Sequence, residues 1–214
     1  MLKHHFRIFL LSALIIAGAW QADPVLAADG DVAGTVLRIQ GTALAVQDAV
    51  PRPLGTGDSV LIGDILSTGK ESRLEIRMID DGVFTLGERT SFVVIDYMSG
   101  QHPPNATLRL LSGAFRAVTG AIAQADADAF RVETEFGALG VRGTDFWGGI
   151  LEDGAFHAAL LDGKAVTFRN RAGSVEITTP EFGTTIAGPD SPPTPPKQWG
   201  AEKLTRSKEM VSFR

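Results

Sequence analysis

Apolar and polar residues alternate with period two along much of this chain, the mark of strands that show one face to water. Over 130–135, Phe130, Val132 and Thr134 alternate with Arg131, Glu133 and Glu135. Val36, Arg38 and Gln40 alternate with Leu37 and Ile39; Gly41 breaks that run, and 43–46 resumes it. Short runs rich in Val, Ile, Leu, Phe and Thr predict further strands at 60–62, 73–79, 83–86, 92–97, 107–111, 115–119, 155–161, 165–169 and 174–178. Turn chemistry falls between them. Asp80-Asp81-Gly82 separates two alternating runs and predicts a hairpin. Asp162-Gly163-Lys164 predicts another, and Ala172-Gly173 a third, weaker one. Strands this short and close, with 24 glycines in the chain, predict one all-β domain of short antiparallel strands. A twisted roll or β-helix-like stack and a sandwich both suit that pattern, and the near-even hairpin spacing favours the roll.

Two stretches depart from the period. Residues 120–129 (GAIAQADADA) have no two-residue face and read as a loop or a single helical turn. Residues 189–196 hold five prolines in eight positions and cannot join a ladder, so they predict an extended spacer. Beyond it, Leu204, Met210, Val211 and Phe213 among Lys203, Arg206, Lys208 and Arg214 suit either a short amphipathic helix or a frayed tail.

The first residues read as an export signal. Lys3 and Arg7 precede a 12-residue apolar run at 8–19, and Val25-Leu26-Ala27 gives a small-x-small cleavage pattern. That run is short for a spanning helix; an uncleaved anchor is the competing reading. The layout is then a signal peptide at 1–27, a β domain at 28–188 and a Pro-rich tail at 189–214, with the mature protein in the periplasm and not membrane-spanning. Loss of Lys3, Arg7 and Asp23 takes the formal charge from −5 to −6. Mild acidity without a basic block argues against nucleic acid. There is no cysteine, which excludes disulfides, Cys-based metal sites and a Cys-linked lipid anchor.

Several ordered blocks resemble the FecR-type periplasmic domain family. They are Gly34-Thr35-Val36 with Gly41, and the paired Gly-Asp segment Leu54-x-x-Gly57-Asp58-x-x-Leu61-x-Gly63-Asp64-x-Leu66-x-Thr68-Gly69. Leu110-x-x-Gly113-Ala114-Phe115 and the signature Val141-Arg142-Gly143-Thr144-x-Phe146, followed by Trp147, complete them. The resemblance covers about residues 36–185. It implies a twisted all-β, non-enzymatic, exported module that binds no cofactor. The family's iron-transport regulators carry a cytoplasmic sigma-factor-binding segment before a membrane helix. In its place this chain shows only Lys3, His4, His5 and Arg7, and little chain follows the domain. The expectation is that the fold carries over, without direct contact to a cytoplasmic sigma factor.

Each candidate residue has a bland reading beside the sharp one. Asp58 and Asp64 could hold calcium, but six to eight oxygens are needed and no acidic cluster completes the shell; glycine turns with local hydrogen bonds suit both pairs better. Gly137-x-x-Gly140-x-x-Gly143 could cradle a phosphate, but strand-like residues follow instead of a helix. An inward Arg142 would need a carboxylate, with Glu133, Glu135 and Asp145 as candidates for a structural ion pair. His102 and His157 are the only histidines after residue 27, and no spacing around them supports a catalytic set or metal site. Asp80-Asp81 reads as a turn and Asp126/Asp128 as solvated loop. Trp147 suits the core of a β domain; Trp199 suits docking, onto its own domain or a partner.

The leading functional reading is a periplasmic interaction module that binds another envelope protein in signalling or regulation. The runner-up is a carbohydrate or peptidoglycan binder, for which Tyr97, Trp147 and Trp199 would supply the aromatic platform.

Overall fold

A computed structural model describes residues 31–100 and 103–214; the predicted export signal and His102 lie outside the described residues. The first half contains β1 (Val32–Gln40), β2 (Ala43–Gln47), β3 (Val50–Pro53), β4 (Ser59–Leu61), β5 (Ile65–Thr68), β6 (Arg73–Met78), β7 (Val83–Leu86) and β8 (Ser91–Met98). Then come β9 (Asn105–Ser112), β10 (Ala114–Val118), the short helix α1 (Ala121–Ala125) and a 3₁₀ turn (Ala127–Ala129). The chain continues through β11 (Phe130–Thr134), β12 (Gly137–Ile150), β13 (Phe156–Asn170), β14 (Gly173–Ile177), β15 (Phe182–Ile186), β16 (Lys197–Gln198) and the helix α2 (Ala201–Val211).

The sixteen strands of the described residues join one sheet, which runs β3-β2-β5-β8-β9-β11-β12-β10-β7-β6-β1-β4, with β13 on β12, β14 and β15 on β13, and β16 on β15. The sheet curls into a half-barrel, as the phenylalanines show. Phe84 of β7 and Phe115 of β10 lie 5.8 Å and 5.3 Å, ring to ring, from Phe92 of β8. In the sheet order β8 is four strands away from β10, so these rings meet across the interior and not along it. Phe130 and Phe146 close the cluster, Phe146 edge-on to Phe115 at 5.6 Å. Each ring that leaves water on folding contributes roughly 1.5–3 kcal/mol.

The hairpin at Asp80-Asp81-Gly82 forms as predicted, with Asp81 in the left-handed region at φ +65°. The Asp80 carboxylate is buried and accepts from Gly82 N, from the Tyr97 hydroxyl at 2.7 Å and from Ile122 N in α1. Burial first, and the Asp80 charge second, raise the Tyr97 phenol well above its ordinary range. Residues 120–129, read as a loop or single turn, hold both α1 and the 3₁₀ turn. The Ala172-Gly173 hairpin also forms, joining β13 to β14.

Three expectations need correction. Asp162-Gly163-Lys164 is not a turn: it lies inside β13, a single strand of 15 residues. Its partner β12 has 14, so the strands are not uniformly short. Nor are all pairs antiparallel, since β9 and β11 run parallel, with β10 and α1 in the crossover between them.

A second core lies on the outer side of the sheet. There α2 lays Leu204 and Val211, with Trp199 just before it, over Ala114, Trp147 and Ala159. The helix has one buried face, Leu204, Ser207 and Val211, the spacing expected of a helix on a sheet. The Arg73 guanidinium donates to Glu209 O near its C-terminus, where a cation is favoured. Farther on, Arg38 stacks 3.9 Å over the Phe213 ring and Arg214 N donates to Gln40 Oε1. Residues 213 and 214 therefore reach β1.

Candidate functional site

The two Gly-Asp pairs are turn machinery. Gly57 and Gly63 sit at φ +91° and +93°, positions that favour glycine. The Asp58 carboxylate accepts from Gly55 N at 2.7 Å. Asp64 is fully buried and accepts from Leu61 N and from the Arg52 guanidinium, both at 2.8 Å. It thereby ties the edge strand β3 to the turn before β5. No group of metal-ligating side chains occurs among the described residues.

The signature residues shape the β12–β13 ribbon. Leu139 and Val141 face the core, as does Phe146, so the inward parity on β12 switches between 141 and 146. The switch coincides with Gly143 at φ +52°, Gly163 at φ +103° and a register shift between Asp145 and Phe146, a bulge that adds twist. Buried Thr144 holds it: its hydroxyl reaches Arg142 O and Ala165 O, and its N–H donates to Thr119 Oγ1. Arg142 does not point inward. It lies on the exposed face, while Asp145 takes both arms of Arg116 at 2.6 and 2.9 Å and Glu133 takes Arg109. The Asp145 hydrogen bonds raise the Arg116 pKa, more than burial lowers it. The ion pair at this corner is thus Arg116–Asp145.

The aromatic platform is absent from the surface. Trp147, Tyr97 and Trp199 are 0%, 1% and 3% exposed. Trp147 is core, and Trp199 docks on its own domain, edge-on to Trp147 at 5.8 Å.

Sequence reasoning missed the setting of His157. It is buried beside α2, with Nε2 at 3.0 Å from Asp153 and Nδ1 at 3.0 Å from Thr185 Oγ1 and 2.9 Å from Lys203 Nζ. An ammonium can only donate, so Nδ1 is the acceptor and the ring proton sits on Nε2, facing Asp153. Burial, then the Lys203 charge, hold His157 below its ordinary pKa against the opposing pull of Asp153. Burial likewise lowers Lys203. The Thr185–His157–Asp153 alignment has the outline of a nucleophile, base and acid, but Lys203 competes for the same lone pair and Trp199 packs beside the ring at 6.4 Å. This cluster ties α2 to β13 and β15.

At the other end of the ribbon the outer face is open. A concavity of about 810 Å³ has Ala138, Gly140, Ala165 and Thr167 as its floor and Arg131, Arg142, Lys164 and Arg169 around its rim. Asp128 and Glu176 also reach it. A second concavity of about 750 Å³ adjoins it and shares Arg131, Ala138, Arg169 and Asn170. Of the rim cations, Arg131 has a carboxylate at 3.4 Å, Glu133; Arg142, Lys164 and Arg169 have none within 4 Å among the described residues.

Comparison with known proteins agrees with this architecture. The profile of the family described as FecR protein matches residues 64–166. Residues 64–166 thus match a FecR domain. No curated protein matches the sequence. Two crystal structures, at 1.65 and 2.50 Å, of a provisionally assigned anti-sigma factor from Parabacteroides distasonis ATCC 8503 share the fold at TM-scores of 0.53 and 0.52. Identity is 15%; the match covers 66% of this chain and 62% of the other, so this chain spans less than two thirds of the length of those relatives. The matched stretch of the FecR domain includes the whole signature and both aspartates of the Asp80–Asp81 turn, and leaves α2 outside.

Of the residues singled out in the sequence, Asp128, Gly140, Val141 and Arg142 line the larger concavity and Glu133, Glu135 and Gly137 the adjoining one; Gly57, Asp58, Gly63, Asp64, Gly143, Thr144, Phe146 and Trp147 build the frame. Arg131, Lys164 and Arg169 were missed. Their signal was alternation itself, Arg131 between Phe130 and Val132 and Arg169 after Phe168, but only the register places them around one floor.

Proposed function

We propose that this FecR domain is a non-enzymatic module of the periplasm that binds another envelope protein in signalling or regulation. One observation carries the reading. The signature's Arg142 stands exposed at the rim of an open concavity whose other charged groups, among the described residues, are neither paired into a proton relay nor gathered as metal ligands. Such a surface recognises a partner and has no group placed to transform one. The anti-sigma-factor description of the structural relatives supports a regulatory setting, and the amino-terminal export pattern supports the compartment. Among the described residues no helix is long and apolar enough to cross a membrane.

The test is crosslinking in intact cells with a tagged full chain, after fractionation, followed by mass spectrometry. Enrichment of one membrane or envelope protein at physiological salt is expected. Recovery of the chain with the cytoplasm, or without any protein partner, overturns the proposal. Recovery of wall fragments alone would transfer the role to peptidoglycan binding.

A further inference from the structure

We infer that the concavity over β11, β12, β13 and β14 is the docking groove for an extended acidic segment, rich in Asp and Glu, of a protein partner. This rests on the proposed interaction role and names the chemistry of the partner.

The argument begins with the glycines of β12. Gly137 and Gly143 have φ of +147° and +52°. A Cβ on Gly148 would lie 2.9 Å from the Phe115 ring, and one on Gly149 would lie 2.6 Å from Ala114 Cβ. The fold requires those four. Gly140 is different: its φ is not positive, and a Cβ there would meet only Phe130 O, at 4.0 Å. Glycine inside a strand costs stability, and here packing gives nothing back. What Gly140 does is keep the floor of the groove low.

The register shows the shape of that floor. Arg131, Gly140, Thr167 and Glu176 lie side by side in one row across the four strands. The flanking rows carry Arg142 beside Ala165, and Ala138 beside Arg169. Those flanking rows are four residues apart along β12, about 13 Å. The row across four strands spans about 14 Å, the length of roughly four extended residues. One extended chain fits between the Arg142 and Arg169 walls.

Charge selects its composition. The whole chain carries a net charge of −5, yet four cations surround this groove against Asp128 and Glu176, and Arg142, Lys164 and Arg169 have no carboxylate within 4 Å among the described residues. A basic concavity on an acidic protein steers an acidic partner and repels the same concavity of a second copy.

The test places a photocrosslinking residue at Thr167 in the full chain, with a second at exposed Arg77 as an outside control, in the cells that make it. The expected product is a crosslink from position 167 to one protein segment with excess Asp and Glu. The Arg142→Glu/Arg169→Glu double variant should cut its yield about tenfold or more, the scale of losing close charge pairs. Gly140→Val should do the same without lowering the unfolding midpoint, because the added side chain has space in the fold. Lysines introduced into the captured segment should restore capture by the double variant. A neutral or basic segment, a glycan or lipid adduct, no product, or a yield indifferent to all three substitutions would overturn the groove. Capture of a protein from position 77 but not 167 would overturn the groove alone; no protein from either would overturn the interaction role as well.

Discussion

The β12–β13 ribbon has one outer face and treats its two ends in opposite ways. At the Trp147 end the face is sealed: Trp147 pairs across to Ala159, Gly149 leaves space for the indole, and Trp199 and α2 lie on top. At the Gly140 end the same two strands lie bare, floored by small residues and rimmed by cations. Between them is the bulge at Gly143 and Gly163. Glycine serves closeness at one end and emptiness at the other, so a single residue type permits tight packing in one place and leaves an open surface in the other.

Four tests press on that contrast. The largest effect belongs to the sealed end. Trp147→Ala opens a cavity beneath α2 and should cost about 3–5 kcal/mol in denaturant unfolding; a loss below about 1 kcal/mol would mean that α2 seals little. Next, the same change at two glycines should have opposite signs. Gly149→Ala overpacks against Ala114 and should cost about 1–3 kcal/mol, whereas Gly140→Ala should stabilise by about 0.4–1 kcal/mol by restricting the unfolded chain. Equal signs in thermal unfolding would erase the distinction.

Acid should reach only the sealed end. The folded pKa of His157 lies below its ordinary 6.5, so the unfolded chain binds a proton first as pH falls through 6.5, and stability drops from there down to the folded pKa. Protonated Nδ1 would point its N–H at the Lys203 ammonium, with Lys197 adding to the repulsion and Asp153 opposing it. Lys203, also lowered, contributes a loss that begins at its ordinary 10.5, far above this window, and Asp153, lowered as well, responds only below 3.8. Hydrogen exchange in α2 should therefore quicken, relative to β11, when pH is taken about one unit below 6.5. A His157→Asn protein that shows the same acceleration would exclude His157 as its source. The smallest effect is at the open end: Arg142→Ala should leave stability within about 0.5 kcal/mol of the parent, and a larger loss in calorimetry would revive an inward ion pair.

Much of the frame was legible in the residues. Alternation placed most strands, because a half-buried strand must alternate, and Asp80-Asp81-Gly82 closed the hairpin it predicted. Asp162-Gly163-Lys164 misled for a physical reason. A left-handed glycine serves a turn or a bulge equally well, and only the partner strand running past it decides. Arg142 misled for the same reason, since the bulge resets the parity that alternation assumes. Helix α2 was ambiguous because its apolar positions are too few to fold alone; its partner face is built by β10, β12 and β13, far away in sequence. The groove rim depends likewise on register between strands, which no single segment contains.

The reach of the last residues to the first strand bears on how the molecule is made. Arg214 N and Gln40 are 174 positions apart, so the contact closes a very long loop and waits until all the strands between them have been made. Without α2 the Trp147 face would be an uncovered apolar patch, the kind of surface that a holding chaperone binds on a chain still being made.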